Sequence, residues 1–407
     1  MVLIILIQIK MAKEKQKMHF GSIERFHTPI RRNLEKSDGK YIKSGEDNLF
    51  PQYCIDLYNR STLNASCINS IVQGIIGEGL TSNYEFALTK ANAYGQSWND
   101  IFSMVSLDYY LHGSFALEII YSRDKTKIAA VHHIDYSFIR AKEKDSRGRI
   151  PGYFINDNWG KYWAPNKEYD YLPAFNWDKR HEEESQIFVV KSFTPGQTTY
   201  CLPSYVSALR IAELDTQIDL FHSSNISNGL APSLAITTFS NGTETDVKNV
   251  EEMLRANYGG AANAGNLIYM DVPDKESAPD ITAINPATTD TYYTTINDLV
   301  TQKILTAHRI TSPLLLGIQQ PGSLGNRAEM IDARLLFEHN VIMPLQQEVL
   351  KQLEAILSYN YEGIVLGVET KSLFMDGEIE EEVVTSVEVT DEENEEVQKQ
   401  DITPEIT

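Results

Sequence analysis

Cysteine is nearly absent from this chain: Cys54, Cys67 and Cys201 are the three in 407 residues. Their odd number and wide spacing offer neither a disulfide framework nor paired metal ligands, so reduced thiols are expected. Long apolar runs are missing as well. The opening MVLIILIQI is nine residues long, with no preceding basic region and no small-residue cleavage site, so neither a signal peptide nor a spanning helix is expected. Met11 offers an alternative start of translation. Positive charge is in short supply: 36 Lys and Arg face 56 Asp and Glu, for a net charge of −20. Tight nonspecific coating of nucleic acid needs clustered cations, and this chain has dispersed ones. Fixed-period repeats and heptad runs are also lacking.

Recognisable catalytic chemistry is lacking too. His132-His133 with Asp135 suggests a metal site, but adjacent residues of a strand point to opposite faces and cannot readily share an ion. HEEES at His181 lacks the second histidine of a zinc-protease pattern and reads as a solvated loop. Around Ser323, PGSLG fails as a nucleophile elbow because Pro321 stands where glycine is required. YGGAANAGN has no Lys-Ser/Thr to hold a phosphate and reads as a turn. Asp108, Glu118 and Asp135 have no spacing that demands a carboxylate cluster. No catalytic residue, metal ligand or cofactor is expected.

What is present is enough apolar sequence, 42%, for a substantial core. The chain reads as α+β. Residues 1–49 read as an N-terminal arm, polar and basic-rich from residue 11 on, that is expected to order only against a neighbour. A helix is expected from about Gln52 to Gly74, broken by Gly74, Gly77 and Gly79. Residues 97–122 read as a helix ending at Gly113 and running into a strand. IAAVHHIDYSFIRAKEK, GRIPGYFIND, KYWAPNKEYDYLPAFN and SQIFVVKSF then carry strand character. A long helix is expected from Pro203 to about Asn228, with two apolar stripes: Ile211, Leu214, Ile218 and Phe221, then Tyr205, Leu209 and Ala212. Two stripes imply contacts on more than one side. An α/β insert follows, with SLAITTF as strand, Glu244–Tyr258 as helix and NLIYMDV as strand.

The stretch from Thr291 to Leu357 organises the rest. Ile296, Leu299, Val300, Ile304 and Ala307 share one helical face. TSPLLLGIQQPGSLGN then interrupts the helix at Pro313, Gly317, Pro321, Gly322 and Gly325. A second helix is expected from Asn326, capped by Asn326 with Glu329 three residues on. Its stripe is Ile331, Leu335, Ile342, Leu345, Val349, Leu353 and Ile356, with a kink at Pro344. The loop between the helices carries no titratable group, which argues for a mechanical rather than a catalytic role. EGIVLGVET reads as a strand. Residues 376–407 hold thirteen acids against Lys399, a net −12 that leaves −8 for the remainder. Such a block is expected to be solvated.

The order of these pieces resembles the portal (head–tail connector) proteins of tailed bacteriophages over roughly residues 50–357. The segments that carry the likeness are YYLHGSFALEIIYSRDKTKIAAVHHIDYSFIRA, IFVVKSFTPGQTTYCLPSYVSALRIAELDTQIDLFHSSNISNGLAP, LRANYGGAANAGNLIYMDV, HRITSPLLLGIQQPGSLGN and AEMIDARLLFEHNVIMPLQQEVLKQLEAIL. A large helical crown is not recognisable. The resemblance implies a wing over 50–202, stem helices over 203–229 and 287–310, a clip over 230–286 and a tunnel loop over 311–325. It further implies a long wing and crown-base helix with a strand over 326–375. It implies a ring, usually of twelve subunits, at one capsid vertex, around a channel for packaging and ejecting double-stranded viral DNA. Terminase, head–tail adaptor or tail proteins, major capsid protein and scaffolding protein are the implied partners. No membrane or cofactor is implied. The implied location is the virion portal vertex, and the host cytoplasm during assembly.

On that reading Ile318, Gln319, Gln320, Ser323 and Leu324 face the channel. Gln319 and Gln320 offer neutral groups past which DNA slides, and Ile318 and Leu324 narrow the passage. Lys303, His308 and Arg309 become phosphate contacts, or members of a structural ion pair with Asp298. A mildly acidic surface suits a passage that DNA crosses without sticking. The rival readings are another head–tail adaptor or minor capsid protein, which would lack the helix–insert–helix–loop order, and an enzyme with scattered catalytic residues.

Overall fold

Ser61 divides what apolar spacing alone reads as one helix. In the computed structural model, which describes residues 35, 37, 39–159, 169–227, 234–239, 267–272, 289–317 and 327–369, α1 (Phe50–Arg60) ends at Ser61 and α2 (Thr62–Ile76) begins there. Ser61 sits in extended backbone, and its hydroxyl oxygen accepts from Asn64 N. That bond satisfies one of the free N–H groups of the first turn of α2. The same hydroxyl donates to Asp215 at 2.7 Å, which ties the corner to a later helix. The expected single helix is therefore two, because a capping serine competes with helix continuation.

The inward face of α2 is Cys67, Ile68, Ile71, Val72 and Ile75, all buried at three- and four-residue spacing. After it, Gly77 (φ 59°) turns the chain towards β1 (Leu80–Ser82). A Cβ at Gly77 would lie 2.4 Å from the Glu369 carbonyl, so only glycine permits that crossing. A short helix, α3 (Glu85–Leu88), leads on to α4 (Trp98–His112). Ser97 and Asp100 close a reciprocal capping box at its start, and Gly113 (φ 76°) ends it in the left-handed region. Both boundaries agree with the sequence reading.

From Gly113 the chain enters β2 (Ser114–Tyr121), which lies between β3 (Ile128–Ile134) and β7 (Ser185–Lys191), antiparallel to both. A second sheet has the order β4 (Ile139–Ala141), β5 (Gly152–Ile155), β6 (Asp170–Pro173). β2 is buried at six of its eight positions, including Phe115, Ala116, Leu117 and Ile119, as befits the centre strand of a covered sheet. The main core joins α1, α2 and α4 to this sheet, and Phe102, Ile101, Ile71 and Leu117 are fully enclosed in it. A smaller core under the second sheet holds Ile42, Tyr136, Ile139, Ala141 and Tyr153.

Arg140, on β4, lies wholly buried against the start of α1. Its guanidinium donates to the carbonyls of Asn48, Ser137 and Ile139 and to the side chains of Asn48 and Gln52. It also stacks on Trp159, 5.0 Å from the ring centre. Burial pulls its pKa down to about 10, so it remains charged at neutral pH. A buried cation satisfied by carbonyl oxygens pins the chain before α1 to β4 of the second sheet.

The helix expected from Pro203 begins later. A 3-10 turn, Val206–Ala208, precedes α5 (Leu209–Ser227), and the Pro203 carbonyl accepts from Val206 N at 3.0 Å. Buried Tyr205 holds this turn by donating to the Leu111 carbonyl. β8 (Leu234–Phe239) and β9 (Leu267–Val272) pair in parallel. Parallel neighbours require a crossover connection, in keeping with an α/β insert. Its expected helix, Glu244–Tyr258, lies outside the described residues.

α6 (Thr289–Ala307) follows, then α7 (Arg327–Phe337), a π-helical segment (Glu338–Ile342) and α8 (Met343–Leu357). The long kinked helix is thus two α-helices with one wide turn between them, ahead of Pro344 rather than at it. β10 (Leu366–Val368), shorter than its sequence suggested, returns to pair antiparallel with β1. The proposed N-cap Asn326 lies outside the described residues.

Candidate functional site at the loop base

The apolar loop expected to touch DNA joins α6 to α7. Ile318, Gln319, Gln320, Ser323 and Leu324 lie outside the described residues, whereas both ends of the loop are described. The site is therefore built from its base.

α6 stops by a Schellman arrangement: Ile310 N donates to Leu305 O at 2.9 Å and Arg309 N to Thr306 O at 3.0 Å. Ile310 and Leu305 are both buried, supplying the apolar contact that accompanies this motif. The left-handed position is normally glycine, but here it is Arg309, at φ 60°. A side chain there costs about 1 kcal/mol. The guanidinium supplies a reason for its presence: Nη2 donates to the Asn340 carbonyl at 2.9 Å. Asn340 is four residues before Pro344, which has no N–H to offer that carbonyl. Arg309 thus provides the donor that proline lacks, and links the end of α6 to the π segment.

His308, the residue before it, was expected to face phosphate. The structure corrects this, because His308 is 1% exposed. Its Nδ1 is 2.9 Å from the Tyr110 hydroxyl and its Nε2 is 3.0 Å from Asn64 Oδ1. With an amide oxygen at Nε2, that nitrogen carries the proton and Nδ1 accepts from tyrosine. The ring stacks on Tyr205 with centroids 4.6 Å apart, and Tyr205 stacks on Tyr110 at 5.6 Å. Burial drives the imidazole pKa down to about 3, so it is neutral and has no charge for a phosphate. The apolar spacing placed His308 next to the helix end but could not reveal Asn64, Tyr110 and Tyr205, which arrive from three other elements.

Lys303 is exposed on α6, and among the described residues no ion pair joins it to Asp298. Beyond Ile310, Ser312 caps a 3-10 turn, Pro313–Leu316, that ends at Gly317 (φ 73°). A cavity of about 500 Å³ opens here, lined by Ile310, Thr311, Leu336, Phe337, Asn340 and Val341 among others. Leu335 and Leu336 on α7 are 62% and 56% exposed. Leu335 was expected in the buried stripe; the π segment shifts the helical phase, so α7 and α8 do not bury one continuous line.

Among the described residues, the remaining sequence candidates do not come together in one cluster. His133 bonds Asp108 at 2.8 Å while His132 packs edge-on against Tyr94, so the two histidines do diverge. Among the described residues no cluster could hold a metal ion. All three thiols are buried; burial pushes Cys67 up to about 12 and raises Cys54 and Cys201 as well, which makes them poor nucleophiles. No described helix is long and apolar enough to cross a membrane.

The mixed helix-and-strand architecture has known counterparts in virus-like particles. The fold is similar to that of a chain in a virion of a native gene transfer agent particle, with a TM-score of 0.52 and 16% identity over 86% of this chain and 91% of that one. It is also similar to a chain in the neck of the native particle computed with C12 symmetry, with a TM-score of 0.50 and 15% identity over 84% and 90%. In sequence, the chain is 26% identical over 172 residues to a probable portal protein of Haemophilus phage HP1 (strain HP1c1). That stretch covers 41% of this chain and 48% of the relative, so the chain spans about half the length of the curated relative it matches. No protein-family model matches the chain. The likeness to portal proteins read from the sequence is borne out.

Proposed function

We propose that this protein is a portal protein, a ring-forming channel subunit at one vertex of a phage-type capsid. The observation that carries the reading is the order of elements: α5, a parallel-stranded insert, α6, a braced loop and the α7–π–α8 helix, in a chain whose fold is shared with a gene transfer agent neck. On this reading 50–202 is the wing, α5 and α6 are the stem, 230–286 is the clip and 311–325 is the tunnel loop. The clip meets terminase during packaging and adaptor or tail proteins afterwards.

Physical support comes from the outward faces of the helices. Leu214 and Leu220 on α5, Leu299 on α6 and Leu335 and Leu336 on α7 stay exposed in the single chain. Apolar surface on successive long helices suits a head-to-tail neighbour, and such an interface closes into a ring when its rotation closes. The His308 and Arg309 contacts hold the base of the loop. DNA passes by sequence-independent contact, with Gln319 and Gln320 as neutral groups and exposed Lys303 as a weak cationic one. The role is guidance and docking without catalysis.

Electron micrographs of the purified protein test the assembly. Rings with a central hole are expected, and compact monomers at every concentration would overturn the reading. Deleting Gln319–Leu324 is expected to spare the ring and disturb packaging or retention of DNA; loss of assembly would make the loop structural.

A further inference from the structure

The loop after β7 carries a built anion site that none of the proposed channel functions uses. Thr198, Thr199 and Tyr200 direct three successive backbone N–H groups at one carboxylate oxygen, Glu35 Oε1, at 3.0, 2.7 and 3.0 Å. The Thr198 hydroxyl donates to the other oxygen, Oε2, at 2.5 Å. Convergent backbone N–H groups form a concavity that selects anions.

Two lysines stake this loop from outside. Lys191 Nζ donates to the carbonyls of Thr198 and Thr199, each at 3.1 Å. Holding those oxygens on the far side leaves the N–H groups aimed together. Lys144 Nζ donates to Thr198 Oγ1 at 2.7 Å, which frees the hydroxyl proton for the carboxylate. Tyr200 is fixed in the smaller core, where its hydroxyl bonds Ala141 N and the Ile42 carbonyl. The site is therefore set by the body of the protein before any carboxylate arrives.

Its occupant comes from a distant part of the chain, 163 residues earlier in sequence from Thr198. Beyond Glu35 the segment runs along the edge of β4, where Tyr41 bridges Lys142 and Ile42 N donates to the Ala141 carbonyl at 2.8 Å. Ser37 bonds Glu143 on the way. We propose that Thr198–Tyr200, with Lys144 and Lys191, is a socket for an acidic side chain on an extended peptide, and that Glu35 fills it in cis as the latch of the N-terminal arm. Burial opposes the charged carboxylate, yet bonds from the Thr198 side chain and the three backbone N–H groups outweigh it and hold the Glu35 pKa below its ordinary value. The latch is electrostatic, because no buried apolar side chain lies between Glu35 and Tyr41 in the described segment.

Hydrogen exchange on the full chain tests this. Glu35→Ala is expected to raise exchange of the 198–200 amides about tenfold and to speed tryptic cleavage after Lys36 and Lys40, with β2 unchanged. Thr198→Val should give a smaller change of the same kind. A synthetic peptide of residues 31–40, added in excess to Glu35→Ala, is expected to restore protection, and the same peptide with glutamine at position 35 is not. Unchanged 198–200 exchange in Glu35→Ala would overturn the latch. Failure of the glutamate peptide to protect, or equal protection by the glutamine peptide, would overturn the socket.

Discussion

The N-terminal body and the helices that follow it spend their apolar residues differently. In α2, α4 and β2 the apolar side chains close on one another: Ile68, Ile71, Ile101, Phe102 and Leu117 have no exposed surface. In α5 only the side bearing Leu209 and Ala212 is enclosed, while Leu214 remains 39% exposed and Leu220 65%. α6 repeats the pattern, with Ile304 enclosed and Leu299 at 49%. The enclosed side of the later helices joins the same core as the body, and their exposed leucines leave apolar surface for another molecule. Of the two stripes read on α5 from sequence, the Leu209 and Ala212 stripe is enclosed, whereas the other is divided: Ile211 and Ile218 pack against the same core while Leu214 is exposed.

That contrast can be broken in graded steps. Phe102→Ala removes a ring from the enclosed body and should cost about 3–5 kcal/mol, seen as a lower denaturant midpoint. A cost below about 1 kcal/mol would mean that the body is not one close-packed core. At the seam between body and helices, His308 makes stability depend on pH. Its folded pKa, about 3, lies below the ordinary 6.5, so the unfolded chain takes up a proton that the folded chain refuses. The contribution is complete above about pH 6.5 and is lost as pH falls towards 3, by up to about 1.4 kcal/mol per pH unit. His308→Gln should flatten that slope in acid unfolding curves. His112, whose burial also lowers its pKa against the raising influence of Asp108 and Asp135, adds to the same slope, as do carboxylates held low by hydrogen bonds such as Glu35.

A smaller effect tests the brace. Arg309→Met should destabilise the wild-type chain by about 0.5–1 kcal/mol more than it does in a Pro344→Ala background, where a backbone N–H can serve Asn340 instead. Equal costs in a double-mutant cycle would show that Arg309 does not substitute for the missing donor. The least effect on folding is expected on the outward face. Leu335→Ala should shift unfolding by no more than about 0.5 kcal/mol while weakening self-association in sedimentation. If it leaves association intact, α7 does not meet a neighbour through that face.

Much of the architecture was legible because its signals are local. The helix starting near Ser97, its end at Gly113 and the strand that follows rest on neighbours a few residues apart. The α/β insert was readable as two strands, and their parallel pairing agrees with it. The readings that failed concern competition between local signals and distant partners. Ser61 looked like an ordinary helical position, yet it became a cap bonded to Asp215. Pro344 correctly announced a break, but the break spread backwards over Glu338–Ile342, where Arg309 could supply a donor. His308 was misassigned because a histidine at a helix end looks solvent-facing until the residues that enclose it are known.

By itself, the sequence determined the order of elements and the lack of recognisable catalytic motifs, because helix caps, glycine turns and apolar periods act within one or two turns. The tertiary structure alone decided that His308 is a neutral core residue, that Arg309 completes a proline-broken helix and that Glu35 enters a backbone socket. Each of these depends on groups dozens to hundreds of residues apart, and their protonation and hydrogen bonding are set by burial, which no short stretch of sequence encodes.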